Sequence, residues 1–233
     1  MVTSKAVKPT PSAARRRPSV QANLSQAQRR RRRLQWLGAG VVALVAVGGL
    51  YVVFRHSTAS THSASGGDYQ VGQPGVGAQA PAFDLVASTG GRVSLSAYRG
   101  KSVLLYFQEG LSCQPCWDQM TALEKQSAQV KAAGVGAIVS ITTDPANLIA
   151  RKTRDMGITT PVLSDPTMAV SKAYHANDYG MMGNSRDGHT FILVGPDGTI
   201  RWRADYGGAP HYTMFVQPSQ VLADLRAGES KQP

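Results

Sequence analysis

The sequence predicts an α/β sandwich with a mixed sheet, preceded by one transmembrane helix and a disordered basic tail. Three observations carry this expectation. From residue 78 onward, apolar runs of strand length alternate with amphipathic stretches of helix length, and the series ends in a hairpin and a helix. Upstream, the nineteen residues Trp36 to Phe54 contain no charge. The stretch between the two regions is rich in Ser, Gly and Thr and has no apolar period.

The charge distribution follows the same division. The 233 residues include 25 Lys and Arg against 14 Asp and Glu, but ten of the basic residues lie within residues 1–35 and the first acidic residue is Asp68. From Trp36 onward the chain is close to neutral. The basic character therefore belongs to the tail, and it does not argue for a nucleic-acid-binding domain. Residues 1–35 combine Ser, Pro, Ala, Gln and Arg with few large apolar side chains, so they are expected to be a disordered cytoplasmic tail.

At about 1.5 Å per residue, Trp36 to Phe54 spans roughly 28 Å, the thickness of a bilayer core. Trp36 and Tyr51 fit an aromatic belt. Five arginines, Arg29 to Arg33, precede the run and only Arg55 and His56 follow it directly. The positive-inside rule then places residues 1–35 in the cytoplasm and the C-terminal region across the membrane. The plainer reading, a buried core helix, fits the length and flanks less well, and two further alternatives, a signal peptide cleaved near Ser57 to Ser60 and a twin-arginine signal, leave that region on the same side. Residues 55–77 read as a flexible linker, 78–228 as one domain with a real core, and 229–233 as a short tail.

Within the domain, Phe83–Val86 and Arg92–Leu95 flank Ser-Thr-Gly-Gly and predict a hairpin. Val103–Phe107 is a continuous apolar run, predicted as a buried strand. Gln114–Ala133 places Trp117, Met120, Leu123 and Val130 on one side of a helix ended by Gly134. Val135–Ile141 predicts a strand, Pro145–Met156 a helix, Val162–Leu163 a short strand and Thr167–Ala173 a short helix. Phe191–Val194 and Thr199–Ala204 flank Gly195-Pro196-Asp197-Gly198 as a second hairpin. Pro218–Ala227 closes the chain with a helix.

The chemistry rests on two cysteines, which exclude a disulfide-dense scaffold and a cysteine-only zinc site. Cys113-Gln114-Pro115-Cys116 falls where a buried strand ends and a helix begins. A helix N-terminus stabilises an anion, so the Cys113 thiolate is favoured and Cys113 is the expected nucleophile. Cys116, one turn on, is placed to attack a mixed disulfide at Cys113. Pro115 has no intrahelical bond to lose there. Two other readings are a zinc half-site and a pair of inert buried thiols. A zinc site would need two further ligands, and none of His56, His62, His175, His189 and His211 pairs closely with a cysteine in the sequence.

The residues also resemble a known family. Ala80-Pro81-Ala82-Phe83-Asp84-Leu85, Ser94-Leu95, Tyr98-Arg99-Gly100-Lys101, Val103 to Phe107, Pro161 to Pro166, Ala173-Tyr174, Thr190 to Val194 and Pro196 to Ile200 form an ordered series. It is similar to that of thioredoxin-fold redoxins of the alkyl hydroperoxide reductase C/thiol-specific antioxidant (AhpC/TSA) group. Phe107, Gly110, Cys113 and Cys116 fit the F-x-x-G-x-x-C-x-x-C arrangement of its peroxiredoxin-like members. The resemblance implies a thioredoxin-like sandwich and thiol redox chemistry. The sequence departs from typical peroxiredoxins in having Tyr106 and Gly110 where they carry Pro and Thr or Ser, and Gly188 where they carry the peroxide-polarising Arg. Gly188 also stands where thioredoxin-like reductases place a cis-proline. Arg186 is the candidate substitute for the missing Arg.

The remaining candidates each have a plainer role beside the functional one. Glu109 is a possible proton relay beside the cysteines or an exposed loop carboxylate. Trp117 shapes the substrate surface or packs on the sheet. Met181-Met182 with His175 and His189 would suit a soft metal, or the methionines belong to the core. His189 precedes a strand expected near Cys113. The sequence thus predicts a membrane-anchored extracytoplasmic thiol-disulfide oxidoreductase. A peroxiredoxin-like thiol peroxidase and a copper-delivery module are the alternatives. Its expected partners are protein thiols and disulfides or a hydroperoxide, an electron donor, and the membrane through Trp36 to Phe54. No cofactor and no nucleic acid are expected.

Overall fold

A computed structural model describes residues 68–230. The expected tail, transmembrane helix and most of the linker, residues 1–67, lie outside the described residues, as do 231–233. Among the described residues no helix is long and apolar enough to cross a membrane.

The elements run β1 (Asp84–Ala87), β2 (Arg92–Ser94), β3 (Val103–Phe107), α1 (Gln114–Lys125), α2 (Ser127–Ala132), β4 (Ala137–Thr142), α3 (Ala146–Met156), β5 (Val162–Ser164), α4 (Ala169–Ala173), β6 (Thr190–Val194), β7 (Ile200–Asp205) and α5 (Pro218–Glu229). Single 3-10 turns occupy Leu95–Tyr98, Ala176–Asp178 and Gly183–Ser185. The strands form one mixed sheet in the order β2-β1-β5-β4-β3-β6-β7. β3, β4 and β5 are parallel neighbours, and the other pairings are antiparallel. Both predicted hairpins are present.

Period-two alternation in the inner strands builds two cores. In β3, Leu104 and Tyr106 face the core that contains α1, α3 and α5 side chains. Val103, Leu105 and Phe107 face the opposite core with Phe83, Val170 and Tyr174. All five residues are buried, which is why the strand reads as an unbroken apolar run.

Three expectations are corrected. The predicted helix over Gln114–Ala133 divides at Gln126, whose ψ of 27° leaves the α region although no Gly or Pro marks the break. The closing helix extends to Glu229. Residues 68–77, expected as the end of a linker, instead bond to the domain. Gln70 and Asp205 exchange backbone bonds of 3.1 and 2.8 Å, and Gly72 N–H donates to Asp205 Oδ2 at 2.7 Å. A buried Arg203–Asp205 ion pair organises this junction, and Arg203 also donates to the carbonyls of Tyr174 and Pro74. Composition identified the segment as loop, but backbone bonding to β7 fixes its path.

Candidate active site at the cysteine pair

Because β3 and β4 are parallel, their C-terminal ends lie at one edge of the sheet, and the turns that leave them build the site. After β3 the chain turns through Gln108 to Ser112 and enters α1 at Gln114, with Cys113 as the N-cap residue. Cys113 and Cys116 form a disulfide, with their Cα atoms 5.4 Å apart. Cys113 Sγ accepts the Cys116 N–H at 3.2 Å, the role that a Ser or Asp oxygen performs at other helix starts. Cys113 keeps 6% of its surface exposed and Cys116 none.

The turn itself is held by Asp144, which follows β4 and is buried. Its Oδ2 accepts the Leu111 N–H at 2.6 Å and the Thr142 hydroxyl at 3.2 Å, while Oδ1 pairs with Arg186 Nη1 at 2.8 Å. Gly110 has φ +84°, and a β-carbon there would overlap Asp144 Oδ2 and Thr142 Oγ1. A Thr or Ser is therefore excluded twice, by conformation and by space.

Arg186 Nη1 also donates to the Glu109 carbonyl at 3.1 Å. The guanidinium thus lies beside the cysteine loop and is already paired. Glu109 is buried, which corrects the expectation of an exposed loop carboxylate. Its Oε1 accepts the Met181 N–H at 2.8 Å and so ties the segment after the Ala176–Asp178 turn to the cysteine loop. Met181 and Met182 are exposed at 59% and 49%, which corrects their assignment to the core: their backbone is held while their side chains point outward.

Trp117 packs beneath the site. It is fully buried, and its indole N–H donates to the Gly110 carbonyl at 3.0 Å. On the sheet side, the Tyr106 hydroxyl lies 2.9 Å from His189 Nδ1 and 3.4 Å from the Cys116 carbonyl. Tyr106 also stacks on Phe191 at 4.5 Å. Burial and the nearby Glu109 charge push the Tyr106 hydroxyl pKa well up, and burial brings His189 down to about 3, so both are neutral. His189 Nε2 is buried without a hydrogen-bond partner.

The candidates Cys113, Cys116, Glu109, Trp117, Arg186 and His189 therefore gather around the start of α1. His175 does not join them, and pairs instead with Asp178. Among the described residues, no three His, Cys, Asp or Glu side chains are grouped to hold a metal ion. Sequence reasoning missed Asp144, although its position just past a parallel strand was a usable signal. It also missed Asp187, a fully buried carboxyl. No local signal marked it.

Comparison with known proteins agrees with this geometry. Residues 76–203 match the sequence profile described as the AhpC/TSA family. The chain is 35% identical over 129 residues to a putative peroxiredoxin of Mycobacterium tuberculosis, covering 53% of this chain and 80% of that protein. It is 28% identical over 125 residues to the thiol-disulfide oxidoreductase ResA of Bacillus subtilis, covering 53% of this chain and 64% of that protein. Among solved structures, the peroxidoxin BcpB of M. tuberculosis aligns with a TM-score of 0.55 at 20% identity, over 65% of this chain and 96% of that chain. The 2-Cys peroxiredoxin of Plasmodium vivax aligns with a TM-score of 0.54 at 23% identity, over 65% of this chain and 80% of that chain. These structural likenesses establish a thioredoxin-like fold.

Proposed function

The chain belongs to the AhpC/TSA family, and from that premise we propose that it is a membrane-anchored thiol-disulfide oxidoreductase working outside the cytoplasm through Cys113 and Cys116. One observation carries the choice within the family. The cysteine pair is complete at a helix N-terminus, whereas the positions that would cradle a peroxide are filled by other groups. Asp144 and Thr142 occupy the space of a side chain at Gly110, and the Tyr179 backbone occupies that at Gly188. The Arg186 guanidinium is engaged by Asp144 and the Glu109 carbonyl.

Disulfide exchange needs neither an oxygen cradle nor a free cation. In the reducing direction, the Cys113 thiolate attacks one sulfur of a substrate disulfide, forms a Cys113 mixed disulfide and expels a substrate thiolate. The Cys116 thiol then loses its proton and attacks Cys113 Sγ. The Cys113–Cys116 disulfide forms, the second substrate thiolate leaves, and two electrons have passed to the substrate. A donor dithiol restores the pair, and the same steps reversed oxidise a dithiol. Cys113 is the attacking group because it alone of the pair retains exposed surface. The Tyr106–His189 pair, through the tyrosine hydroxyl 3.4 Å from the Cys116 carbonyl, lies on the buried side where Cys116 must give up its proton. The arginine block and the Trp36 to Phe54 run support the anchor and the outward orientation.

The similarity to a protein named a putative peroxiredoxin favours thiol peroxidase activity as the second reading. In that case Arg186 would have to leave Asp144 to meet the peroxide. The deciding experiment supplies the full chain with a dithiol and offers insulin and hydrogen peroxide separately. Insulin reduction is expected, lost in Cys113→Ser, with stable mixed disulfides accumulating in Cys116→Ser. Peroxide consumption is expected at the level of an ordinary low-pKa thiol. Rapid peroxide turnover that depends on Cys113, with no insulin reduction, would reverse the assignment.

A further inference from the structure

Lys152 lies on α3, outside the cysteine helix, and touches that helix twice. Its Nζ donates to Gln114 Oε1 at 2.9 Å and stands 5.8 Å from the centre of the Trp117 ring. Gln114 follows Cys113 directly, and its Nε2 donates to Asp118 Oδ1 at 2.9 Å, so the amide is held at both ends. Trp117 is itself pinned by its bond to the Gly110 carbonyl. An ammonium above an aromatic face is attracted by the ring quadrupole. Lys152 as a whole is half-buried. A flexible cation is thereby held at the end of α1 where Cys113 sits.

We infer that Lys152 is a positioning residue for Cys113: its ammonium, fixed by Gln114 and Trp117, favours the thiolate over the thiol and so sets the reactivity of the attacking sulfur. The inference rests on the disulfide-exchange reading, in which Cys113 attacks. The other groups around the cysteine loop do not supply this charge. Glu109, Asp144 and, on α1 itself, Asp118 carry carboxylates that oppose a thiolate, and Arg186 is paired to Asp144. Tyr106 and His189 are neutral. Lys152 is the cation bonded directly to the residue beside Cys113, and it adds to the helix-end partial charge and the Cys116 N–H.

The test uses the full chain carrying Cys116→Ser, so that Cys113 is the only thiol, and follows alkylation rate against pH. Lys152→Met is expected to move the midpoint upward and to slow alkylation below that midpoint roughly twofold to fivefold, the size of a single charge near the surface. Lys152→Arg should restore the parent profile. The difference should shrink in 0.5 M NaCl, which screens exposed charges and which packing loss would not mimic. An unchanged midpoint in Lys152→Met, or a shift that Lys152→Arg fails to reverse, overturns the inference. Insulin reduction by the chain with both cysteines is measured in parallel. Absent reduction with a shifted midpoint refutes the exchange reading alone, and normal reduction with a fixed midpoint refutes only the role of Lys152.

Discussion

The carbonyl of Tyr179 occupies the space that a β-carbon on Gly188 would need, and that same carbonyl accepts the His189 N–H at 3.0 Å. A β-carbon on Gly207, just past β7, would overlap the same carbonyl. The Tyr179 backbone is thus packed between two glycines, directly beside the residue that bonds Tyr106. Gly188 is not in the left-handed region, so its requirement is for space, not for backbone conformation. This is the physical reason that neither an Arg nor a Pro stands at that position.

Gly188→Ala is accordingly expected to destabilise the domain by about 3 kcal/mol or more, because the methyl group meets backbone and not a side chain that can move aside. Gly77→Ala is the contrast. A β-carbon there meets nothing, and the cost is limited to the strain of its positive φ. Urea unfolding of both variants checks the difference. Equal midpoints for Gly188→Ala and the parent chain would refute the packing argument.

His189 is expected to make the domain acid-sensitive. Burial holds its imidazole at about 3, against about 6.5 in an unfolded chain. Between those values the unfolded chain binds the proton and the folded domain does not. The stability that depends on neutral His189 is complete above about pH 6.5 and drains as pH falls toward 3, at no more than about 1.4 kcal/mol per pH unit. His189→Gln removes the titration while keeping polar atoms for Tyr106. Its urea midpoint should fall less between pH 7 and pH 4.5 than that of the parent chain, and parallel curves would refute this.

Asp187 acts with the opposite sign. Burial raises its carboxyl pKa well above the ordinary value; a Ser171 hydrogen bond opposes the rise and the Asp165 charge adds to it. Its contribution is complete below the unfolded carboxylate pKa of about 3.9 and is lost as pH rises toward the folded value. Asp187→Asn cannot ionise, so it should be more stable than the parent at pH 8, by about 1–2 kcal/mol. The advantage should vanish near pH 4. Thermal melts at the two pH values provide the measurement, and a destabilised variant at pH 8 would mean that the carboxylate has partners in solution.

The proposed topology places the domain outside the cytoplasm. Protease added to intact cells or spheroplasts should remove the domain and spare an epitope placed in residues 1–35. A protected domain would refute the orientation drawn from Arg29 to Arg33.

The sequence by itself determined whatever depends on neighbours along the chain. Val103 to Phe107 reads as a doubly buried strand because five consecutive apolar residues have no polar face to offer water. Gly134 marks the end of its helical stretch because the positive φ it adopts favours glycine. Cys113 and Cys116 are legible as a redox pair because one helical turn brings them together without help from the rest of the fold. Tertiary structure alone decided what depends on distant partners. Tyr106 and His189 are 83 residues apart, and Lys152 and Gln114 are 38 apart. Glu109, Asp144 and Asp187 look like surface carboxylates by residue type, since most carboxylates remain solvated. Their burial arises because the ends of β3, β4 and β6 meet at one edge of the sheet, and burial is a property of that meeting that no window of sequence contains.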